Sequence, residues 1–172
     1  MVSRFLVLSL RALEFVWTLL IMALIGNIIA EAFSGNPSVI NYAIFVATFS
    51  MLSLFYLFAA AISDSYVIHA ALPLLVDGLN VIFFFCAAIA LAAELEVHSC
   101  NNKTYTHSNR ITNGAHNTAH RCREAQASTA FLWFGWACYT ASLFFSFLDA
   151  RGNGVNLRSR GIRKGGPAMS QV

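Results

Sequence analysis

The sequence predicts an all-α membrane protein, a bundle of four transmembrane helices with both termini in the cytoplasm. Three observations predict it. Of 172 residues, 58% are apolar and only 11% charged, with a mean hydropathy of +0.62, whereas a water-facing surface carries charge at about a quarter of positions. Four apolar runs are each long enough to cross about 30 Å of hydrocarbon, which takes about 20 helical residues. The cations, finally, are shared unevenly between the segments joining those runs. A net charge of +3 on so apolar a chain excludes a nucleic-acid partner held by phosphate neutralisation.

The first run is residues 13–33, closed by Ser34, Gly35, Asn36 and Pro37, a cluster that stops a helix and turns the chain. The second, 39–62, holds no charge, and its stretch 44–61 offers only Ser, Thr and Tyr as polar residues, so it lacks the polar face a soluble helix needs. Asp64 and Ser65 mark a short break. The third run, 72–93, is interrupted only by Asp77, and after a polar loop, 94–127, the fourth covers 128–148. Residues 1–150 are thus a membrane domain and 151–172 a basic tail. A cleaved leader is the competing reading of the first run, since Arg4 and Arg11 precede it and Ala30, Glu31 and Ala32 form a small-x-small site. The run exceeds the usual signal core of about 7–15 residues, which favours a retained span.

Four spans put Arg4, Arg11, Arg151, Arg158, Arg160, Arg163 and Lys164 on one side, against Lys103, Arg110, Arg121 and Arg123 on the other. Seven cations against four assign the first side to the cytoplasm.

The 94–127 loop then lies outside. Its cysteines, Cys100 and Cys122, face the oxidising side and are disulfide candidates, while Cys86 and Cys138 sit within spans as small apolar residues. Asn102, Lys103 and Thr104 form an N-x-T glycosylation acceptor at Asn102. His98, His107, His116 and His120 also lie here. A zinc site from His116 and His120 with Cys100 or Cys122 is conceivable, but oxidised sulfur cannot ligate and the Gly and Asn content of 113–117 opposes a helix there. No metal and no cofactor are expected.

Asp77 lies five positions into the third span with Asn80 on the same face, and Glu14 lies in the first span with Arg11 one turn before it. Intramembrane carboxylates face other helices and find partners. These groups serve either interhelical packing or a proton or ion path, and too few are present for a continuous relay. Small residues at four-residue spacing, Ala43 and Ala47, Ala88 and Ala92, and Cys138, Ser142 and Ser146, allow close helix approach within the protomer or a homo-oligomer. Fifteen Phe read as lipid-facing or core bulk, and Trp133 and Trp136 as an interfacial belt.

The tail carries Arg151, Arg158, Arg160, Arg163 and Lys164, which suit anionic inner-leaflet lipid, at about 1 kcal/mol per cation, or simply set topology. It is too poor in large apolar residues to fold alone. Phosphorylation of Ser159 would weaken its lipid contacts, and the ending Ser170, Gln171, Val172 has the form of a strand-adding ligand. Residues 1–10 suit an interfacial lead-in. No H-E-x-x-H, G-x-S-x-G, C-x-x-C or phosphate-binding glycine loop occurs, so no enzyme is expected.

The loop around His98, Ser99, Cys100, Asn101 and Asn102, then Tyr105, Ser108, Asn109, Ile111, Thr112 and Gly114, then Arg121, Cys122, Arg123, Ala125, Gln126, Ala127, Ala130, Phe131 and Leu132, resembles the fungal non-classical export protein family of MARVEL-domain proteins. Asp77, Asn80 and the ending Ser170, Gln171, Val172 resemble it too, and the similarity covers essentially the whole chain. The resemblance implies a MARVEL four-helix bundle with cytoplasmic termini in the fungal plasma membrane, in the compartment organised by eisosomes. It implies a non-enzymatic organiser of that domain that responds to sphingolipid status and is linked to unconventional protein export, with sphingolipid-rich membrane and eisosome proteins as partners. The alternative is a small oligomeric channel or transporter subunit using Asp77, Asn80 and Glu14.

Overall fold

A computed structural model describes residues 4–33, 35–62, 71–96 and 98–152, the last four without their side chains. In chain order these form α1 (Arg4–Ala30), α2 (Ser38–Ile62), α3 (Leu72–Leu95), α4 (Lys103–Ser108), a 3-10 turn at Thr112–Gly114, and α5 (Thr118–Gly152). The chain is all-helical over the described residues, and α1, α2, α3 and α5 each have the length and apolarity of a membrane span. Pro73 sits in the first turn of α3, where its missing N–H costs nothing. Between α1 and α2, Gly35 takes φ +51°, a left-handed conformation glycine adopts without Cβ strain.

Two helices start earlier than the apolar runs suggest. α1 begins at Arg4 because Arg11 turns inward instead of marking a membrane boundary; the residue is only 3% exposed. α5 begins at Thr118, inside the expected loop, because the polar stretch 118–128 is an amphipathic helix. It buries Thr118, Arg121, Cys122, Ala125 and Ser128 and exposes His120, Arg123 and Gln126, the 3.6-residue period of one covered face.

The long helices form a ring in which α1 and α3 each pack against both α2 and α5, so α1 faces α3 and α2 faces α5 across diagonals. In lipid no hydrophobic force draws helices together, and small residues and polar contacts do so instead. Ala43 and Ala47 are both buried, as expected of a seam. On α3 the seam runs through Ala87, Ala88 and Leu91, while Ala92 faces outward; Ala88 and Ala92 are therefore not one interface. Gly135 on α5 lies so close to Phe84 that a Cβ would meet the ring at 2.4 Å, so only glycine lets the aromatic rest on that backbone. Nine of the fifteen Phe are exposed on the bundle and Phe84 is fully buried in its core, so both roles read from the sequence, lipid-facing and core bulk, are present. Trp133 and Trp136 are half-buried and pack edge to face on each other and beside Phe85.

Candidate functional site

The interior is polar in layers, beginning in the half of the bundle that holds the start of α1, which we call the terminal face; the opposite end, which carries residues 96–117, is the loop face. In the first layer Arg11 donates from both terminal nitrogens to Asp77, at 2.6 and 2.7 Å, and from one of them to Glu14 Oε2 at 2.9 Å. The other Glu14 oxygen accepts from Ser142 Oγ at 2.5 Å. Glu14 and Asp77 are fully buried. A guanidinium is suited to this position because its planar fork serves two carboxylates at once. The ions bridge the α1–α3 diagonal and tie both helices to α5.

The next layer bridges the other diagonal. Ser50 Oγ on α2 lies 2.6 Å from Tyr139 Oη on α5 and 2.9 Å from Thr18 Oγ1 on α1. Asn80 donates to Ser53 Oγ at 3.0 Å and to the Val76 carbonyl one turn back, joining α3 to α2. Beyond these hydroxyls, toward the loop face, the interior is apolar, filled by Ile21, Ile25, Ala43, Ala47, Phe84 and Leu132. The polar column stops at this plug.

The loop face is a pinned cap. Cys100 and Cys122 form a disulfide, joining the start of the cap to α5. Asn102 caps α4 by accepting from the Tyr105 N–H, the Tyr105 hydroxyl donates to the Leu95 carbonyl, and Asn109 Nδ2 donates to the Glu94 carbonyl at 2.7 Å. Burial and the nearby Glu96 push the Tyr105 phenol above its ordinary pKa, so its hydroxyl stays a donor. Arg121 is fully buried: it donates to the Ile28 carbonyl, to the Ile111 carbonyl at 2.6 Å, and to Asn36 Oδ1 at 3.0 Å. It thereby holds α1, the turn after it and the cap on one side chain.

Of the residues singled out in the sequence, Glu14, Asp77 and Asn80 come together in adjoining layers. Sequence reasoning paired Glu14 with Arg11 but missed Asp77 as the main partner of that arginine. It also counted Arg121 only as one of the loop-side cations and did not see it as an internal brace; the amphipathic period of 118–128 is the signal that could have found it. The zinc arrangement with Cys100 or Cys122 is overturned, since both sulfurs are in the disulfide, and His116 packs edge-on against Phe33 outside any helix. Asn102 is exposed at the start of α4. Arg158, Arg160, Arg163 and Lys164 lie outside the described residues, as do Ser159 and the last three residues; Arg151 is in α5 with its side chain not described.

A family model of the MARVEL membrane-associating domain matches residues 4–145, a span that includes every polar layer above. Non-classical export protein 102 of Candida albicans is 36% identical over 165 residues, 95% of each chain. Non-classical export protein 2 of Saccharomyces cerevisiae is 33% identical over 174 aligned residues, again 95% of each chain. The chain belongs to the non-classical export protein family of MARVEL membrane proteins. The Schizosaccharomyces pombe homolog is 28% identical over 143 residues, 83% of this chain and 76% of that one. No solved structure matches the chain. In this MARVEL protein the four spans are joined by buried charge and hydroxyl contacts on both diagonals, and the disulfide-bonded cap closes one end.

Proposed function

We propose that this protein organises lateral domains of the plasma membrane, of the eisosome-associated kind, responds there to sphingolipid status, and supports unconventional protein export. The observation that carries the reading is the division between a packed interior and an apolar exterior. Inside, the carboxylates are held by Arg11 and Ser142, and the polar column ends at the apolar plug. Outside, Leu19 on α1, Phe45 and Phe55 on α2, Ile82 on α3, and Phe134 and Phe144 on α5 stand exposed. A molecule built this way meets its surroundings through lipid and neighbouring membrane proteins. The names of its relatives supply the link to export. A conduit through one protomer is disfavoured, because ions cannot cross packed Ile, Phe and Leu without water.

Both termini face the cytoplasm in this reading. Setting aside the buried Arg11 and Arg121 leaves six cations on the terminal side and three on the loop side, the same bias as before, and a disulfide suits an oxidising compartment. Arg151, Arg158, Arg160, Arg163 and Lys164 then meet anionic inner-leaflet lipid. Eisosome proteins and further copies of the chain are the partners, and a change of lipid surround shifts assembly by favouring one packing over another.

The test is imaging of a tagged copy in fungal cells before and after sphingolipid synthesis is blocked. A patchy signal that redistributes on depletion is expected. A uniform or unresponsive signal overturns the reading.

A further inference from the structure

We propose that the loop face carries a binding site for a divalent transition cation of the zinc type, formed by Glu31, His120 and Glu124. Glu31 follows the end of α1, its N–H bonded to the Asn27 carbonyl at 3.0 Å. His120 and Glu124 are one turn apart on α5. One ligand atom from each of the three lies within 4.8 Å of the other two. Glu31 and His120 are exposed, whereas Glu124 is only 8% exposed.

The second observation is at Glu124. Its Oε1 accepts from Asn27 Nδ2 at 2.6 Å, but its Oε2 is shut off from solvent with no hydrogen-bond partner among the described residues. The nearest cationic candidate, His120 Nδ1, stands 3.7 Å away, beyond hydrogen-bonding distance. A buried carboxylate oxygen left in this state is costly, and a cation between it and the imidazole satisfies both. Asn27 Nδ2 also reaches Glu31 Oε1 at 3.3 Å, so one amide orients both carboxylates from behind, the outer-shell role that ligating groups need. The guanidinium of Arg121 lies near the cluster, but its donors go to Ile28, Ile111 and Asn36. Its charge opposes the cation and tempers affinity without filling the place of the metal.

One imidazole nitrogen and two carboxylate oxygens match the preference of zinc for N and O ligands at about 2.0–2.2 Å, with a water in the fourth position. Tetrahedral bonds of that length put ligand atoms about 3.3 Å apart. Glu31 and His120, both exposed, can close that distance by small side-chain rotations. A bound cation would join the loop-side end of α1 to the start of α5, where Cys122 of the disulfide stands between His120 and Glu124 in the chain.

The experiment is a Zn²⁺ titration of the purified full chain in detergent, disulfide oxidised, against a chromophoric chelator. One saturable equivalent is expected, with affinity reduced at least about tenfold in His120→Ala and Glu31→Gln and about tenfold in Asn27→Ala. Glu124→Gln should lose binding too, but its position is buried, so the exposed His120 and Glu31 decide the outcome if that variant fails to fold. His107→Ala and Cys86→Ala should bind as the parent does. No saturable binding, equal binding by the parent and His120→Ala, or loss in the His107 or Cys86 variant each overturns the site.

Discussion

Arg11 and Asp77, 66 positions apart in the chain, meet through two parallel charge-assisted hydrogen bonds across the α1–α3 diagonal of the bundle. The backbones of these helices do not approach each other, so the long arginine side chain is what connects them. Removing it leaves two buried carboxylates without their counter-ion, and breaking a buried pair in this way costs about 3–5 kcal/mol. Arg11→Ala should therefore be the most damaging change in the layer. Asp77→Asn should cost less, because Arg11 keeps Glu14. Thermal unfolding in detergent should rank the parent above Asp77→Asn and that above Arg11→Ala; equal losses would contradict the shared-arginine geometry.

Gly135 and Phe84 yield a packing prediction. A methyl at 135 would sit 2.4 Å from the Phe84 ring, and overpacking of this kind costs about 1–3 kcal/mol. Gly135→Ala should destabilise, and Phe84→Leu in the same chain should recover part of the loss. Unfolding midpoints of the single and double variants test this, and purely additive losses would count against it.

Arg121→Met should loosen the cap. It leaves the Ile28 and Ile111 carbonyls and Asn36 Oδ1 without their donor, at about 1–3 kcal/mol for each acceptor left buried and unpaired. Arg121→Lys should retain only part of the stability, because an ammonium on a flexible stem cannot reproduce the guanidinium fork. Limited proteolysis of the segment between α3 and α5 should be fastest in the Met variant. Cleavage at the parental rate would show that the cap does not depend on this side chain.

Opening the disulfide should cost about 3 kcal/mol, the denatured-state entropy released by a loop of this size. Cys100→Ser with Cys122→Ser should unfold earlier than the parent. In the parent, thiol labelling after denaturation without reductant should find Cys86 and Cys138 alone; labelling at Cys100 or Cys122 would deny the bond.

Asn102 should carry a glycan if the loop face lies outside. Its Oδ1 caps α4 through the Tyr105 N–H while the amide nitrogen is the atom that is glycosylated, so cap and modification are compatible. Endoglycosidase treatment should lower the apparent mass of the parent but not of Asn102→Gln. A parent unchanged by the enzyme removes Asn102 as an acceptor.

Much of the architecture was legible because the bilayer imposes a simple rule: a span must be long, apolar and helical. The four runs obey it, and the paired cysteines of the polar loop could be read from their place outside the spans. The start of α5 was not legible by that rule, since residues 118–127 are polar and became helical by covering one face with Arg121, Cys122 and Ala125. The candidate cation site escaped for a related reason. Glu31 and Glu124 stand 93 positions apart, and no local spacing links them.

The sequence by itself determined that the chain is a four-helix membrane protein, where its spans fall and which carboxylates are buried in them, because the cost of charge and bare backbone in hydrocarbon depends on composition and length. Only the tertiary structure decided which partners those charges take. Arg11 reaches Asp77, Arg121 becomes an internal brace, and Ala88 is buried while Ala92, one turn on, stays exposed. These outcomes depend on which helices stand adjacent and which stand diagonal, a property of three-dimensional packing that residue spacing along one helix does not encode.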